Sequence, residues 1–483
     1  MLDREIFGRI LQGNGTPISQ PFRISHMGID ENSDHTANRP RVAWNSADNH
    51  HLVVWSGDDI DMANPSGETH QIWGQRIAAN GAPLDSNQFA VTATPATDFS
   101  TAPVDAALIH SPTLNEHFVA HTQRRRVPGT FFTESDIYLQ RIFANGTRNG
   151  DSIQVTETGS AAPDVLSASS AALAYNSVDN QVCLVWQADG LNDGESEVFG
   201  RVLSGTGSPL GAVTRLSQVG PDGDTSRDAE DPWVAHSPET NEYLVVWTGD
   251  DDNPNDDEVY GQLVTGAETG QDDFLISGMG PPGDTDWRAE QGVRVAWSPG
   301  RSEYLVAWEG NDDRPFLDPG ECEICVQSIS ATGEARGVDD LRISDSGADG
   351  DPGADAHDPA IAWNAADNEF LVVWHGRNEA AGADILDNEM LGQRLAGEPS
   401  ETPPADVVAA ILSGSLGLDI NRRRKNRRGR HCDGRQCTVG LRITPTRSLT
   451  LWPRSGHNPT RRRATTRGEP RRLAPGAEKW VQR

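Results

Sequence analysis

RVAWNSADNHHLVVWSGDD, residues 41–59, decides the fold, because the chain repeats it. Copies read ALAYNSVDNQVCLVWQADG (172–190), WVAHSPETNEYLVVWTGDD (233–251), RVAWSPGRSEYLVAWEGND (294–312) and AIAWNAADNEFLVVWHGRN (360–378). A degenerate copy, AALIHSPTLNEHFVAHTQR, lies at 106–124. Two anchors mark each copy: Trp44/Trp55, His110/His121, Tyr175/Trp186, His236/Trp247, Trp297/Trp308 and Trp363/Trp374. The anchors of a pair are always 11 residues apart, and successive copies are offset by 66, 65, 61, 61 and 66 residues. Self-similarity at a near-constant period marks a repeat architecture.

Each copy reads as four strands. Strand A (VAW) and strand B (LVVW) flank a polar turn such as Ser46-Ala47-Asp48-Asn49, which is hairpin chemistry. Strand C is IWGQRI (72–77), echoed by IFGRI, VFGRV, VYGQL and MLGQR. Its glycine (Gly8, Gly74, Gly200, Gly261, Gly392) is expected where a neighbouring ring or backbone packs close. A Gly-containing turn then leads to strand D, such as QFAVT or LRIS. Continuous LVVW runs point to strands covered on both faces, as in stacked blades. The fold class is therefore all-β: a β-propeller of six or seven four-stranded antiparallel blades, with an irregular C-terminal tail. The tryptophans are expected to pack blade against blade. There are six A–B pairs but seven C strands. Either the N-terminal C and D strands complete the last blade, or an upstream portion is missing.

Composition agrees. The chain has 483 residues, with 48 Gly, 30 Pro and 6% aromatics, which opposes a mainly helical protein. No apolar run approaches the roughly 20 residues that span a bilayer. MLDREIFGRILQG lacks a basic region followed by an apolar one, so no signal peptide is visible. The initiator Met falls inside a repeat, which fits a truncated or misassigned start. Five cysteines cannot supply a disulfide framework.

Charge divides the chain. Residues 1–421 carry 22 Arg, no Lys and 68 acidic residues, a net of −46, whereas residues 422–483 carry a net of +16. Residues 1–400 are taken as the propeller, 401–421 as a helix remnant and 422–483 as a basic, irregular tail. The segment ADVVAAILSGSLGLDIN (405–421) resembles part of a dockerin, a duplicated Ca²⁺-binding module of secreted bacterial proteins, with Asp419 and Asn421 at its first and third ligand positions. Arg423 and Arg424 then stand where further ligands are needed, so this loop is not expected to bind Ca²⁺. Codons permissible for the arginine-rich stretch, read one base later, encode the missing loop and helix, so a shifted frame is expected. The competing reading is a genuine nucleic-acid arm. Without it, no nucleic-acid partner is expected. The resemblance implies secretion by a bacterium.

Catalytic motifs such as HExxH, GxSxG and the P-loop are absent from the sequence. Cys322-Glu-Ile-Cys325 is a lone CxxC, read as a local disulfide or two free thiols rather than a zinc site. Cys183 reads as an apolar filler. The second repeat departs most: His110, His121 and Leu139 replace Trp, Trp and Gly, and Arg124-Arg125-Arg126 replaces an acidic loop. Divergence with hydrogen-bonded core imidazoles is the plainer account of the histidines.

The expected role is a non-catalytic extracellular binding or structural propeller presenting an acidic loop face to a protein or glycan. The alternative is a propeller-type carbohydrate-active enzyme, a glycosidase or lyase, which should break the repeat symmetry at its site. In antiparallel blades the B–C and D–A loops share one end. Those loops hold Asp58-Asp59, Asp250-Asp251-Asp252, Asp312-Asp313, Asp222 with Asp224, Asp284, and Asp349 with Asp351. They are candidate calcium loops, because paired aspartates supply the oxygen ligands Ca²⁺ prefers.

Overall fold

In the computed structural model the chain is all-β, with six four-stranded blades around a channel, each in the order A–B–C–D. The structure describes residues 4–27, 36–60, 68–93, 102–126, 133–157, 167–189, 195–218, 226–250, 257–265, 268–269, 272–279, 288–290, 292–311, 322–346, 355–377, 388–396 and 442–443. Apart from Arg442–Ile443, the dockerin-like and basic segments of the tail lie outside them.

Blade 1 comprises Ala37–Asn45, His50–Ile60, Glu68–Ala78 and Phe89–Ala90, and blade 2 Pro103–Ser111, Glu116–Arg126, Thr133–Phe143 and Ile153–Gln154. Blade 3 is Ala168–Asn176, Gln181–Asp189, Ser196–Ser204 and Thr214–Arg215. Blade 4 is Ala229–Ser237, Glu242–Asp250, Asp257–Thr265 and Phe274–Leu275, with Glu268–Thr269 also on its strand C. Blade 5 is Arg294–Ser298, Glu303–Asn311, Cys322–Ser330 and Ala335–Arg342. Blade 6 is Ala356–Asn364, Glu369–Arg377 and Asn388–Ala396, with Arg442–Ile443 added in parallel at its outer edge.

The A strands pack side by side along the channel, from blade 1 round to blade 6. Strand B is buried on both faces. Val53 and Trp55 face the N-terminal hairpin, while Leu52 and Val54 face blade 2. Burying side chains of this size contributes about 1.5–3 kcal/mol each. Trp55, Trp186, Trp247 and Trp308 are fully buried between blades and Trp374 nearly so. The strand-A anchors divide, so a common blade-to-blade role for the tryptophan pairs needs correcting. Trp297 is buried on Tyr304 and Trp363 half-buried on Phe370, but Trp44 is 52% exposed at the edge of the turn, its Nε1 3.2 Å from Asn49 Oδ1.

Local chemistry fixes the remaining corners. Asn45 Oδ1 accepts the amides of Ala47 and Asp48, and Asn49 closes the turn at φ 49°. A Cβ on Gly74 would lie 3.0 Å from the Phe89 ring of strand D, which explains the strand-C glycine. A latch joins strands C and D. In blade 3, Ser217 Oγ accepts the Val198 amide and donates to Glu197, which also pairs with Arg215. The same contacts recur at Ser25/Glu5 and Ser344/Glu323.

A two-stranded hairpin, Phe7–Gly8 with Phe22–Arg23, stands between blades 6 and 1. It does not complete blade 6, whose strand B already pairs with its own strand C.

Candidate functional site

Every A strand enters the channel through the same bend. Five residues before each strand-A anchor the backbone turns left-handed, at Arg39 (φ 53°), Asp105 (53°), Ser170 (50°), Asp231 (48°), Gly292 (95°) and Asp358 (51°). In five blades a register shift accompanies the bend, which is a β-bulge. Left-handed backbone is unfavourable for residues other than glycine, and such strain concentrates at functional sites. These six residues ring the mouth of a cavity of about 470 Å³. The mouth lies at the end of the blades that carries the B–C and D–A loops, the end the sequence singled out.

Two residues deeper, repetition breaks. Blades 2, 3 and 6 place Ala107, Ala172 and Ala360 there, whereas blades 1, 4 and 5 place Arg41, Trp233 and Arg294. The Arg294 guanidinium lies 4.3 Å from the Trp233 ring centre and that of Arg41 5.6 Å. Arg41 Nη1 donates to the Pro40 carbonyl at 3.1 Å and Arg294 Nη1 to the Val293 carbonyl at 2.7 Å, while Arg41 Nε is buried without a hydrogen-bond partner. Burial first, then the neighbouring Arg294 and Arg39, pulls the Arg41 pKa down to about 9, which leaves it charged at neutral pH. Arg39 is different, since it forms an ion pair with Asp105.

A carboxyl–imidazole pair faces the same cavity. Glu309 follows Trp308 on strand B of blade 5, where the other blades have Ser56, Thr122, Gln187, Thr248 and His375. Its Oε1 accepts the Asp358 amide at 2.6 Å, and its Oε2 lies 2.9 Å from His357 Nδ1. Burial raises the Glu309 pKa, partly opposed by His357 and the Asp358 amide. The contact with Glu309 raises that of His357. His375, 3.5 Å from Asp358, is lowered by burial. The site thus combines a carboxyl whose pKa burial raises, two guanidinium groups, an indole and rim carboxylates.

No protein-family model and no curated relative matches the chain. Among solved structures, Trypanosoma rangeli sialidase superposes with a TM-score of 0.44 at 8% identity over 78% of this chain, which spans 56% of the sialidase. An α-L-arabinofuranosidase of Fusarium graminearum gives 0.43 at 14% identity over 79% of this chain and 94% of its own. The α-L-arabinanase of Penicillium chrysogenum gives 0.43 at 12% over 78% and 93%.

Of the candidate calcium aspartates, the side chains of Asp58 and Asp250 are described. Asp58 Oδ1 accepts the Thr36 amide and Asp250 Oδ2 the Asp228 amide, so both tie the end of strand B to the start of strand A. The side chains of Asp59, Asp222, Asp224, Asp251, Asp252, Asp284, Asp312, Asp313, Asp349 and Asp351 lie outside the described residues. Among the described residues no three His, Cys, Asp or Glu side chains are grouped to hold a metal ion.

The second repeat's histidines lie in the packing between blades 1 and 2, away from the channel. His121 is buried with Nδ1 unpartnered, which corrects the expected hydrogen bond, and His110 Nε2 is 3.4 Å from Asn115 Oδ1. Two histidines the sequence analysis passed over, His50 and His117, share that environment, their ring centres 6.1 Å apart. Cys322 and Cys325 are buried on one strand and not joined by a disulfide, since a three-residue spacing sends them to opposite faces. Cys183 is likewise free and buried, its pKa pushed up to about 12.

Proposed function

We propose that the protein is a carbohydrate-active propeller that takes an acidic saccharide into its channel mouth, with Glu309 as the proton-transferring carboxyl. The break in repetition at Arg41, Trp233 and Arg294, beside the Glu309–His357 pair, carries this reading. Purely structural positions in a repeat protein serve the same purpose from blade to blade, as the strand-B tryptophans do in five of the six. A position where half the blades use alanine and half use large charged or aromatic groups serves something in the channel instead. Arg41 and Arg294 are half-buried at the cavity, each bonded to one backbone carbonyl, and their remaining donors are suited to a ligand's carboxylate. Fixed donors and one indole fit a hydroxyl-rich ring better than an apolar ligand. A carboxyl whose pKa burial raises is better suited than an ordinary one to protonate a leaving oxygen. The dockerin-like resemblance supports placing this activity outside the cytoplasm.

The binding-protein alternative would hold its ligand on the acidic loops, where the second repeat carries Arg124-Arg125-Arg126 instead. A panel of neutral and uronic-acid-bearing oligosaccharides tests the proposal. Turnover should be confined to acidic members, and Trp233→Ala should raise KM about tenfold or more by removing a central contact. Binding without turnover, undisturbed by Trp233→Ala, would return the function to the loops.

A further inference from the structure

Blade 5 departs from the other five where its A strand enters the channel. The A strands of blades 1, 2, 3, 4 and 6 are nine residues long, whereas that of blade 5, Arg294–Ser298, has five. Between the pairing of Ala356 with Gly376 and that of Ala360 with Val373, blade 6 takes four steps along strand A and three along strand B. Between Ala289 with Gly310 and Arg294 with Ala307, blade 5 takes five steps against three, so its bulge holds one more residue. The bulge residue there is Gly292, at φ 95°, while the other five stand at 48–53° and carry side chains.

The same blade carries Glu309. From the residue after the strand-B anchor, a long side chain reaches the bulge amide of the next blade. Gln187 Oε1 accepts from the Asp231 amide at 2.9 Å, as Glu309 Oε1 accepts from the Asp358 amide at 2.6 Å. Such a side chain also meets the bulge residue of its own blade. In blade 6 that residue has a side chain, and the Asp358 carboxylate stands 3.5 Å from His375 Nδ1. In blade 5 a Cβ on Gly292 would stand 3.0 Å from Glu309 Oε1 and 3.5 Å from Pro359 Cδ. A side chain there would press the Glu309 carboxyl away from its hydrogen bond with the Asp358 amide. The carboxyl thus uses room that a bulge side chain takes elsewhere in the ring, and Gly292 and Glu309 both line the cavity.

We propose that Gly292 is a positioning residue for Glu309. The wider bulge and the missing side chain let the carboxyl stand at the channel mouth, held by the Asp358 amide and beside His357, where a ligand in the cavity meets it. Three departures from the repeat therefore serve one purpose in blade 5: the extra bulge residue, the glycine and the acid after the strand-B tryptophan. This inference rests on the reading of Glu309 as the proton-transferring carboxyl, and a group that transfers a proton must be held to a narrow geometry.

Two double-variant cycles test it, the first without any ligand. Gly292→Ala should lower Tm, and most of that loss should vanish in the Glu309→Ala background, which removes the carboxyl that the new methyl meets. Backbone strain alone would cost the same in both backgrounds, so equal losses would overturn the proposal. Should Gly292→Ala fail to fold, Gly292→Asn takes its place in the cycle, since asparagine tolerates left-handed backbone. The second cycle uses an acidic oligosaccharide turned over by the wild type. Gly292→Ala should lower kcat ~100-fold with KM nearly unchanged, and should add little in the Glu309→Gln background. A further fall of the same size in that background would overturn the positioning role. Absence of turnover on every oligosaccharide would count against the proposed activity, while the stability cycle would still decide whether Gly292 places the carboxyl.

Discussion

Glu309 Oε2 lies 2.9 Å from His357 Nδ1, across the boundary between blades 5 and 6. The contact raises the folded pKa of His357 above 6.5. A cation stabilised in the folded state contributes fully below the unfolded value and is lost as pH rises through the folded one. The advantage of the wild type over His357→Gln in Tm should therefore be greatest below pH 6.5 and shrink above it. An advantage that grows with pH would contradict the pairing.

Histidines elsewhere work in the opposite direction. Burial lowers the pKa of His51 to about 4, His117 to about 3 and His121 to about 4. These groups are neutral in the folded protein, so the unfolded chain gains protons first as pH falls below 6.5. Stability should decline from there towards pH 4, each group adding a slope of up to about 1.4 kcal/mol per pH unit. His117 occupies the position filled by Tyr243, Tyr304 and Phe370 in other blades, and its ring stands 4.9 Å from His110 as Tyr243 stands 5.0 Å from His236. Denaturant titrations of His117→Phe at several pH values should show the slope reduced by one group's share. An unchanged slope would show that His117 does not titrate on unfolding.

The strand C–D latch should matter in proportion to its burial. Glu197 is fully buried, and burial, opposed by Ser217 and Arg215, raises its pKa to about 7. Ser217→Ala should cost about 1–2 kcal/mol and Glu197→Ala about 2–4 kcal/mol, since the latter strands Arg215. Chemical denaturation measures both, and losses below about 0.5 kcal/mol would make the latch incidental.

The bulge ring can be probed without touching the proposed catalytic groups. Ser170 holds φ at 50°, where blade 5 uses Gly292 at 95°. Ser170→Gly should stay within about 1 kcal/mol of the wild type, whereas Ser170→Val should lose about 1–3 kcal/mol, because a β-branched residue tolerates this backbone poorly. Equal stability of the two variants would show that the bend relaxes.

The repeat was legible because its anchors are large and regularly spaced: Trp55, Trp186, Trp247, Trp308 and Trp374 are blade packing in sequence and in space. The latch was less visible, since an acid three residues before the strand-C glycine, such as Glu197 before Gly200, looks like surface charge until strand D folds over it. The channel site was hidden for the opposite reason. Arg41, Trp233 and Arg294 stand three residues before the anchors, in a column where the repeats differ, whereas a repeat is recognised by what its copies share. The conspicuous departure, the histidine blade, proved to be packing. Comparing that column across copies would have found the site, because a channel is where six equivalent positions meet and only there can unlike residues cooperate.

The most direct measurement of the central claim is the turnover of Glu309→Gln on an acidic oligosaccharide cleaved by the wild type, with Kd measured on the same variant. Glutamine keeps the shape and the Asp358 amide contact but cannot transfer the proton. The account predicts kcat lower by about 10²–10⁴ with Kd nearly unchanged. Turnover equal to the wild type at unchanged Kd would place the chemistry elsewhere.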